Sequence, residues 1–320
     1  MAALAVLALV SCASEPEPVS LDRATAEELS FLQNQGTFAN SSFVVVDGTV
    51  LHFRSWGPPG LSGPPALLIH GLGASTYSFR EIAPWLAEQG YRVLAVDVPP
   101  FGYSDRRRSA VAADRAGIFL SLLDRFAEDP SLLGTRVDDP WLLVGHSLGG
   151  RIAAGMAIER PDLVDSLVLL AGALQLPENR ASLPLITTDP VSRLLQAGLR
   201  QLGSPDSLAT VLANAYGRMP TEEEIQGYYE PFAVPGTIPA VVRFSSEALQ
   251  QIGPLAELKR PTLLIWGNED TWVPIAVGYR AGQEIADSLM VVVPGAAHIP
   301  METEPEAVRR AIALFLEEQG

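Results

Sequence analysis

Trp141-Leu142-Leu143-Val144-Gly145-His146-Ser147-Leu148-Gly149 is the stretch whose reading decides the fold. Its first four residues form a short continuous apolar run, as in a strand buried on both faces, and from Arg151 to Ile158 the pattern turns helical. Ser147 therefore sits at a tight strand-to-helix turn, flanked by the small residues Gly145 and Gly149. A hydroxyl at such a turn projects above the sheet, and the turn is strained enough to require very small neighbours. The five-residue pattern alone matches by chance in many proteins; the strand before it and the helix after it make it specific, against an ordinary structural turn.

Outward from this turn, buried apolar runs alternate with helical patterns. Ala66 to Ile69 precedes an amphipathic stretch through Trp85 and Leu86, and Val93 to Val98 precedes Ala112 to Phe126. Ser166 to Leu170, Thr262 to Trp266 and Met290 to Val293 supply further strands. This predicts a doubly wound α/β architecture with a mostly parallel sheet covered on both faces. Phe43 to Val46 and Val50 to Trp56, separated by Asp47-Gly48, read as a hairpin at its entrance. Thr303 with Glu306, and Pro305 between them, predicts the start of a last helix running to Leu316. Between Ala173 and Ile252 the alternation stops: prolines are frequent, and helical pieces such as Val191 to Leu199 are scattered. A structureless connection of this length is implausible in a compact domain, so a helical insertion is expected over 173–252, dividing the core into 37–172 and 253–320.

A net charge of −15 and a pI near 4.7 leave no basic stripe for nucleic acid, and Arg106-Arg107-Arg108 is too short to supply one. With 48% apolar residues the chain can bury a large core. Cys12 is the only cysteine, so no intramolecular disulfide forms. The apolar segment Ala2 to Val10 is too short to span a bilayer and resembles the hydrophobic stretch of a secretory signal. Leu9-Val10-Ser11-Cys12 looks like the cleavage box of bacterial lipoproteins, and the polar, proline-interrupted stretch after it reads as a tether. Residues 1–36 are thus expected to be a lipoprotein signal and tether, anchoring an exported protein to the cell envelope through lipidated Cys12. The opposing feature is that no Lys or Arg precedes the apolar run, and the alternative is an uncleaved N-terminus on a cytoplasmic protein.

A serine hydroxyl needs a base within hydrogen-bond reach, held in one tautomer by a third group. Of the four histidines, His52 lies in the hairpin, His70 belongs to another motif and His146 adjoins Ser147 with its side chain expected to point away. His298, in a glycine-containing loop after the last strand, remains as the base. Asp270, a few residues past the strand ending at Trp266, is the leading acid; Glu269 competes with it, and Glu178 is a weaker third. A developing oxyanion needs two donors in place, expected from the amide of Leu148 and, in the His70-Gly71-Leu72-Gly73 loop after the first parallel strand, the amide of Leu72.

With these motifs the sequence resembles the α/β-hydrolase superfamily, in its esterase, lipase-like and carbon–carbon bond hydrolase branch, from about Phe43 to the C-terminus outside the insertion. The order Ser147, Asp270, His298 is the order of that fold. Asp97-Val98-Pro99-Pro100-Phe101-Gly102-Tyr103-Ser104 is similar to the family's turn after the fourth strand, with Pro100 where glycine is most often found. The resemblance implies that the insertion is a lid over the active site. Tyr216, Met219, Tyr228, Tyr229, Phe232 and Phe244 would then give an apolar ceiling for an acyl or aromatic group, or else pack the lid onto the core.

The expected activity is hydrolysis of a carboxylic ester through an acyl-enzyme on a small-molecule substrate, with no cofactor and no metal. Carbon–carbon bond cleavage of the ring-fission-product type with the same three residues is the second reading. A non-catalytic binding module on this fold is the third. The sequence leaves the oligomeric state open.

Overall fold

The computed structural model describes residues 38–57, 63–107, 110, 114–133, 137–174, 204–246 and 252–319. The signal and tether with Cys12, the helical piece from Val191 to Leu199 and Glu178 lie outside the described residues.

Eight strands form one sheet in the order β1-β2-β4-β3-β5-β6-β7-β8. They are β1 (Ser41–Val46), β2 (Thr49–Trp56), β3 (Pro65–Ile69), β4 (Arg92–Val96), β5 (Trp141–His146), β6 (Val164–Leu170), β7 (Thr262–Gly267) and β8 (Ser288–Val293). Asp47 and Gly48 both take positive φ, 49° and 74°, which matches the twist of a two-residue hairpin and closes β1 on β2. β2 joins β4 antiparallel, and every later pairing is parallel. Each residue of β3, β4, β5 and β7 is buried, which is why Ala66 to Ile69, Val93 to Val96, Trp141 to Val144 and Leu263 to Trp266 within them read as unbroken apolar runs.

Helices α1 (Ile82–Glu88), α2 (Arg115–Glu128) and α3 (Leu148–Glu159) follow the early parallel strands. The insertion contributes α4 (Pro205–Tyr216), α5 (Glu222–Phe232) and α6 (Thr237–Ser246), and the second part of the core carries α7 (Ile275–Glu284), α8 (Pro300–Thr303) and α9 (Pro305–Gln319). One apolar cluster joins α2, α3 and α7 to one sheet face around Phe119, Phe126, Trp141 and Trp266. The other joins α1 and α9 to the opposite face around Phe79, Leu86 and Phe315. The insertion is shared between the two, since α4 and α5 pack into the second cluster and α6 into the first.

The start predicted for the last helix is displaced. Thr303 spends its hydroxyl on the Ile299 carbonyl at 3.3 Å within the short α8. α9 instead begins at Pro305, whose fixed φ and missing N–H suit a first helical position. A capping box does form where none was expected: in α5 the Glu224 amide donates to Thr221 Oγ1 at 3.2 Å and the Thr221 amide to Glu224 Oε2 at 2.7 Å.

Phe126 shows what holds the layers together. It lies edge-on to Phe53 with ring centroids 5.5 Å apart and stacks on Trp141 at 6.2 Å, joining α2 to β2 and β5. Phe126→Ala should cost about 3–5 kcal/mol of unfolding free energy in urea titration, for lost transfer energy plus the cavity left behind. A loss below about 1 kcal/mol would show that this contact does not join the layers.

Candidate active site

Ser147 lies between the last residue of β5 and the first of α3 with φ 50° and ψ −114°, a backbone that L residues rarely adopt. The turn closes because its neighbours have no side chains. A Cβ at Gly145 would lie 2.5 Å from the Gly149 carbonyl oxygen, and one at Gly149 would lie 1.9 Å from the Ile69 carbonyl oxygen. The Ser147 amide donates to the Leu170 carbonyl at 2.9 Å, and the Ser147 carbonyl accepts from Gly150, Arg151 and Ala173 at 3.1, 3.3 and 2.9 Å. Leu148 is the first residue of α3, so its N–H is among the orphan donors of a helix N-terminus.

The loop after β3 runs beside this turn: a Cβ on Gly71 would meet Ser147 Cβ at 3.1 Å. Its shape is fixed from behind. His70 Nε2 accepts the Val98 amide at 2.8 Å, so Nδ1 carries the proton and donates to the Gly71 carbonyl at 2.7 Å. Asp97, fully buried, accepts from the Thr76 and Tyr103 amides at 2.7 and 2.8 Å and from His52 Nδ1 at 2.6 Å. Burial alone would raise this carboxyl, but the His52 and His70 imidazoles and the Tyr103 amide hold it below the usual range. Leu72, the other expected oxyanion donor, is exposed in this loop.

Asp270 and His298 leave the carboxyl ends of β7 and β8 and meet at 2.8 Å, His298 Nδ1 donating to Asp270 Oδ2. The remaining Asp270 oxygen, Oδ1, accepts from the Trp272 and Val273 amides at 2.8 and 3.0 Å. The carboxylate is thereby oriented by two backbone donors, and the imidazole keeps Nε2 free of the proton. The Trp272 ring lies against His298 at 5.1 Å. Glu269, the competing carboxylate, is exposed, with its amide on the Ala296 carbonyl at 3.0 Å.

His146 turns toward the base loop. Its Nε2–H donates to the His298 carbonyl at 3.0 Å, across 152 residues, and the two rings sit 4.8 Å apart. Its Nδ1 is buried with no hydrogen-bond partner among the described residues. Of the expected ceiling, Tyr216 and Tyr228 are buried with their hydroxyls on Glu302, and Phe244 packs edge-on against Phe101 at 5.4 Å. Tyr229 and Phe232 are half-buried, and Met219 is exposed. Trp272 and Asn214, which accepts the Trp272 indole N–H and the Thr271 hydroxyl, carried no signal in the sequence. His146 stands in a visible motif, but its long-range bond has no local signature.

Burial lowers the pKa of His146 well below that of a free imidazole, with His298 adding to the effect, and burial likewise lowers that of His70. The unfolded chain takes up protons at these positions below about pH 6.5, whereas the folded chain does not until lower pH. The stability they contribute is therefore present at neutral pH and is lost as pH falls. Urea unfolding at about pH 7.5 and about pH 5.5 should show a decline, and His146→Asn should flatten it. An equal slope in the variant would contradict this.

A family model described as alpha/beta hydrolase fold matches residues 64–305. The chain is 28% identical over 276 residues to the uncharacterized hydrolase YugF of Bacillus subtilis, covering 85% of this chain and 96% of that protein. It is 27% identical over 283 residues to a 2-hydroxy-6-oxononadienedioate/2-hydroxy-6-oxononatrienedioate hydrolase of Burkholderia vietnamiensis, covering 85% and 93%. Among solved structures, a serine hydrolase involved in carbazole degradation (CarC) superposes with a TM-score of 0.68 at 22% identity, over 87% of this chain and 98% of that one. The fold and the family match agree, and the chain belongs to the α/β-hydrolase fold family.

Proposed function

We propose that the protein is a serine hydrolase that cleaves a carboxylic ester through an acyl-enzyme. The observation that carries this reading is the His298–Asp270 hydrogen bond at 2.8 Å, together with a Ser147 held on a strained turn whose chain neighbour His146 bonds the His298 carbonyl at 3.0 Å. Ser147 Oγ attacks the ester carbonyl while His298 Nε2 takes its proton. The carbonyl π pair moves onto oxygen, facing the amides of Leu72 and Leu148. As the tetrahedral adduct collapses, the carbon–oxygen bond to the alcohol breaks and His298 gives its proton to the leaving alkoxide. Water, deprotonated by His298, attacks the acyl-enzyme in the same way and releases the acid. Asp270 stays ionised throughout and keeps Nδ1 protonated. In this reading the insertion is a lid, and Tyr229, Phe232 and Met219 supply its apolar contacts with the acyl or aromatic group.

Cleavage of a carbon–carbon bond next to a ketone is the second reading, favoured by the Burkholderia vietnamiensis relative. There the leaving group is a carbanion, so His298 must protonate carbon rather than oxygen.

The test is turnover of p-nitrophenyl esters of increasing acyl length alongside a 2-hydroxy-6-oxo dienoate. Ester turnover should dominate, and Ser147→Ala should lower its kcat by roughly 10⁶-fold. Asp270→Asn should cost about 10⁴-fold by favouring the wrong tautomer of His298, and Glu269→Gln should remain within about twofold of the parent. Preference for the dienoate would move the assignment to carbon–carbon cleavage, and the reverse ranking of the carboxylate variants would move the acid role to Glu269.

A further inference from the structure

Glu302 lies on α8, four residues after His298, and is buried, with its chain neighbour Met301 in the apolar cluster. Tyr216 from the end of α4, Tyr228 from α5 and Arg80 from the segment after the His70 loop all donate to its carboxylate. Arg80 also reaches Glu224 of α5 at 3.5 Å, and Glu224 is paired with Arg218 at 2.7 Å. Burial pushes the Glu302 carboxyl above its usual range, while Arg80 and the two phenols pull it back. Burial works likewise against the Arg80 charge, but Glu302 overcomes it and raises the Arg80 pKa. A carboxylate taken out of water is costly unless its oxygens are satisfied, and here donors from three separate elements satisfy them.

The last turn of α4 shows what these contacts accomplish. Asn214 accepts from Thr271 and Trp272 on the Asp270 loop. The Ala215 carbonyl accepts the His298 amide at 3.0 Å, and Tyr216 binds Glu302. A Cβ on Gly217 would touch Ala297 at 3.2 Å. Consecutive residues of this one turn thus touch the acid loop, the base itself and the carboxylate just beyond it. The end of α4 is built into the frame around His298 and Asp270.

We infer that Glu302 is a positioning residue: through Tyr216 it seats the last turn of α4 between the Asp270 and His298 loops, and so sets the geometry of the acid–base pair. The inference rests on the proposed roles of His298 and Asp270. A buried pair with no such role would affect stability alone. A misplacement of the base by about 1 Å can cost on the order of 10²-fold in rate while leaving substrate binding intact. α4 and α5 are then bolted to the core around the acid–base pair.

The experiment compares the full-length protein with Glu302→Gln, Tyr216→Phe and the double variant. It reads kcat and KM on p-nitrophenyl butyrate, the melting temperature, and the downfield proton resonance of the His298 Nδ1–H. Glu302→Gln should lower kcat roughly 10- to 100-fold with KM within about twofold, and should shift or broaden the resonance below the melting temperature. Tyr216→Phe should act in the same direction with a smaller loss, and the double variant should lose no more than Glu302→Gln alone, since the two belong to one contact. An unchanged kcat and an unchanged resonance, with only the melting temperature lowered, would overturn the inference. If Glu302→Gln does not fold, Tyr216→Phe and Tyr228→Phe carry the same readouts and the same criteria. If the parent turns over no ester, the proposed function fails, and the resonance still decides whether Glu302 positions the pair.

Discussion

Helix α3 can start as close to the sheet as it does because position 149 has no side chain. The Ile69 carbonyl occupies the space where a Cβ would stand, so the end of β3 and the first turn of α3 are in direct contact. Two consequences follow from this one approach. The chain leaving β5 must reverse within a single residue, which puts Ser147 at φ 50°, a conformation that costs of order 1–3 kcal/mol. The same contact carries the loop after β3 alongside Ser147, so the amides of residues 72 and 148 belong to neighbouring segments. Strain at the serine is offset by its backbone, whose carbonyl accepts three amides and whose amide is bound to β6.

A comparison within the molecule shows why this placement matters more than any chain of hydrogen bonds. Ser41 Oγ lies 2.7 Å from His52 Nε2, and His52 Nδ1 lies 2.6 Å from Asp97 Oδ2, the same order of groups that a nucleophilic serine requires. Ser41, however, sits half-buried in the extended strand β1, with its neighbours paired to β2. No helix starts at Ser41, so there are no aligned amides to receive a developing oxyanion. Asp97 instead uses its oxygens to hold the amides of Thr76 and Tyr103, which secures the loops around the His70 segment. One arrangement braces the site, and the other is proposed to react.

Legibility followed the range of the interactions. The parallel strands were readable because strands buried on both faces are apolar along their middles, as in β3, β4, β5 and β7, where the polar residues Arg92, His146 and Thr262 stand only at strand ends. The Ser147 turn was readable because steric closure demands glycine at fixed local offsets. His298 and Asp270 were reachable by their order and by the strands they follow. The partners that arrive from far along the chain were not: nothing near His146 announces the His298 carbonyl, and nothing near Glu302 announces Tyr216, Tyr228 or Arg80. Thr303 misled for the opposite reason, since its local capping pattern was real but the hydroxyl was already taken by the preceding turn.

Fluorophosphonate labelling followed by peptide mass mapping decides whether Ser147 is the activated hydroxyl. One adduct per chain is expected, on Ser147, with the labelling rate collapsing in His298→Ala. An adduct on Ser41 or elsewhere, or undiminished labelling of Ser147 without His298, would contradict it.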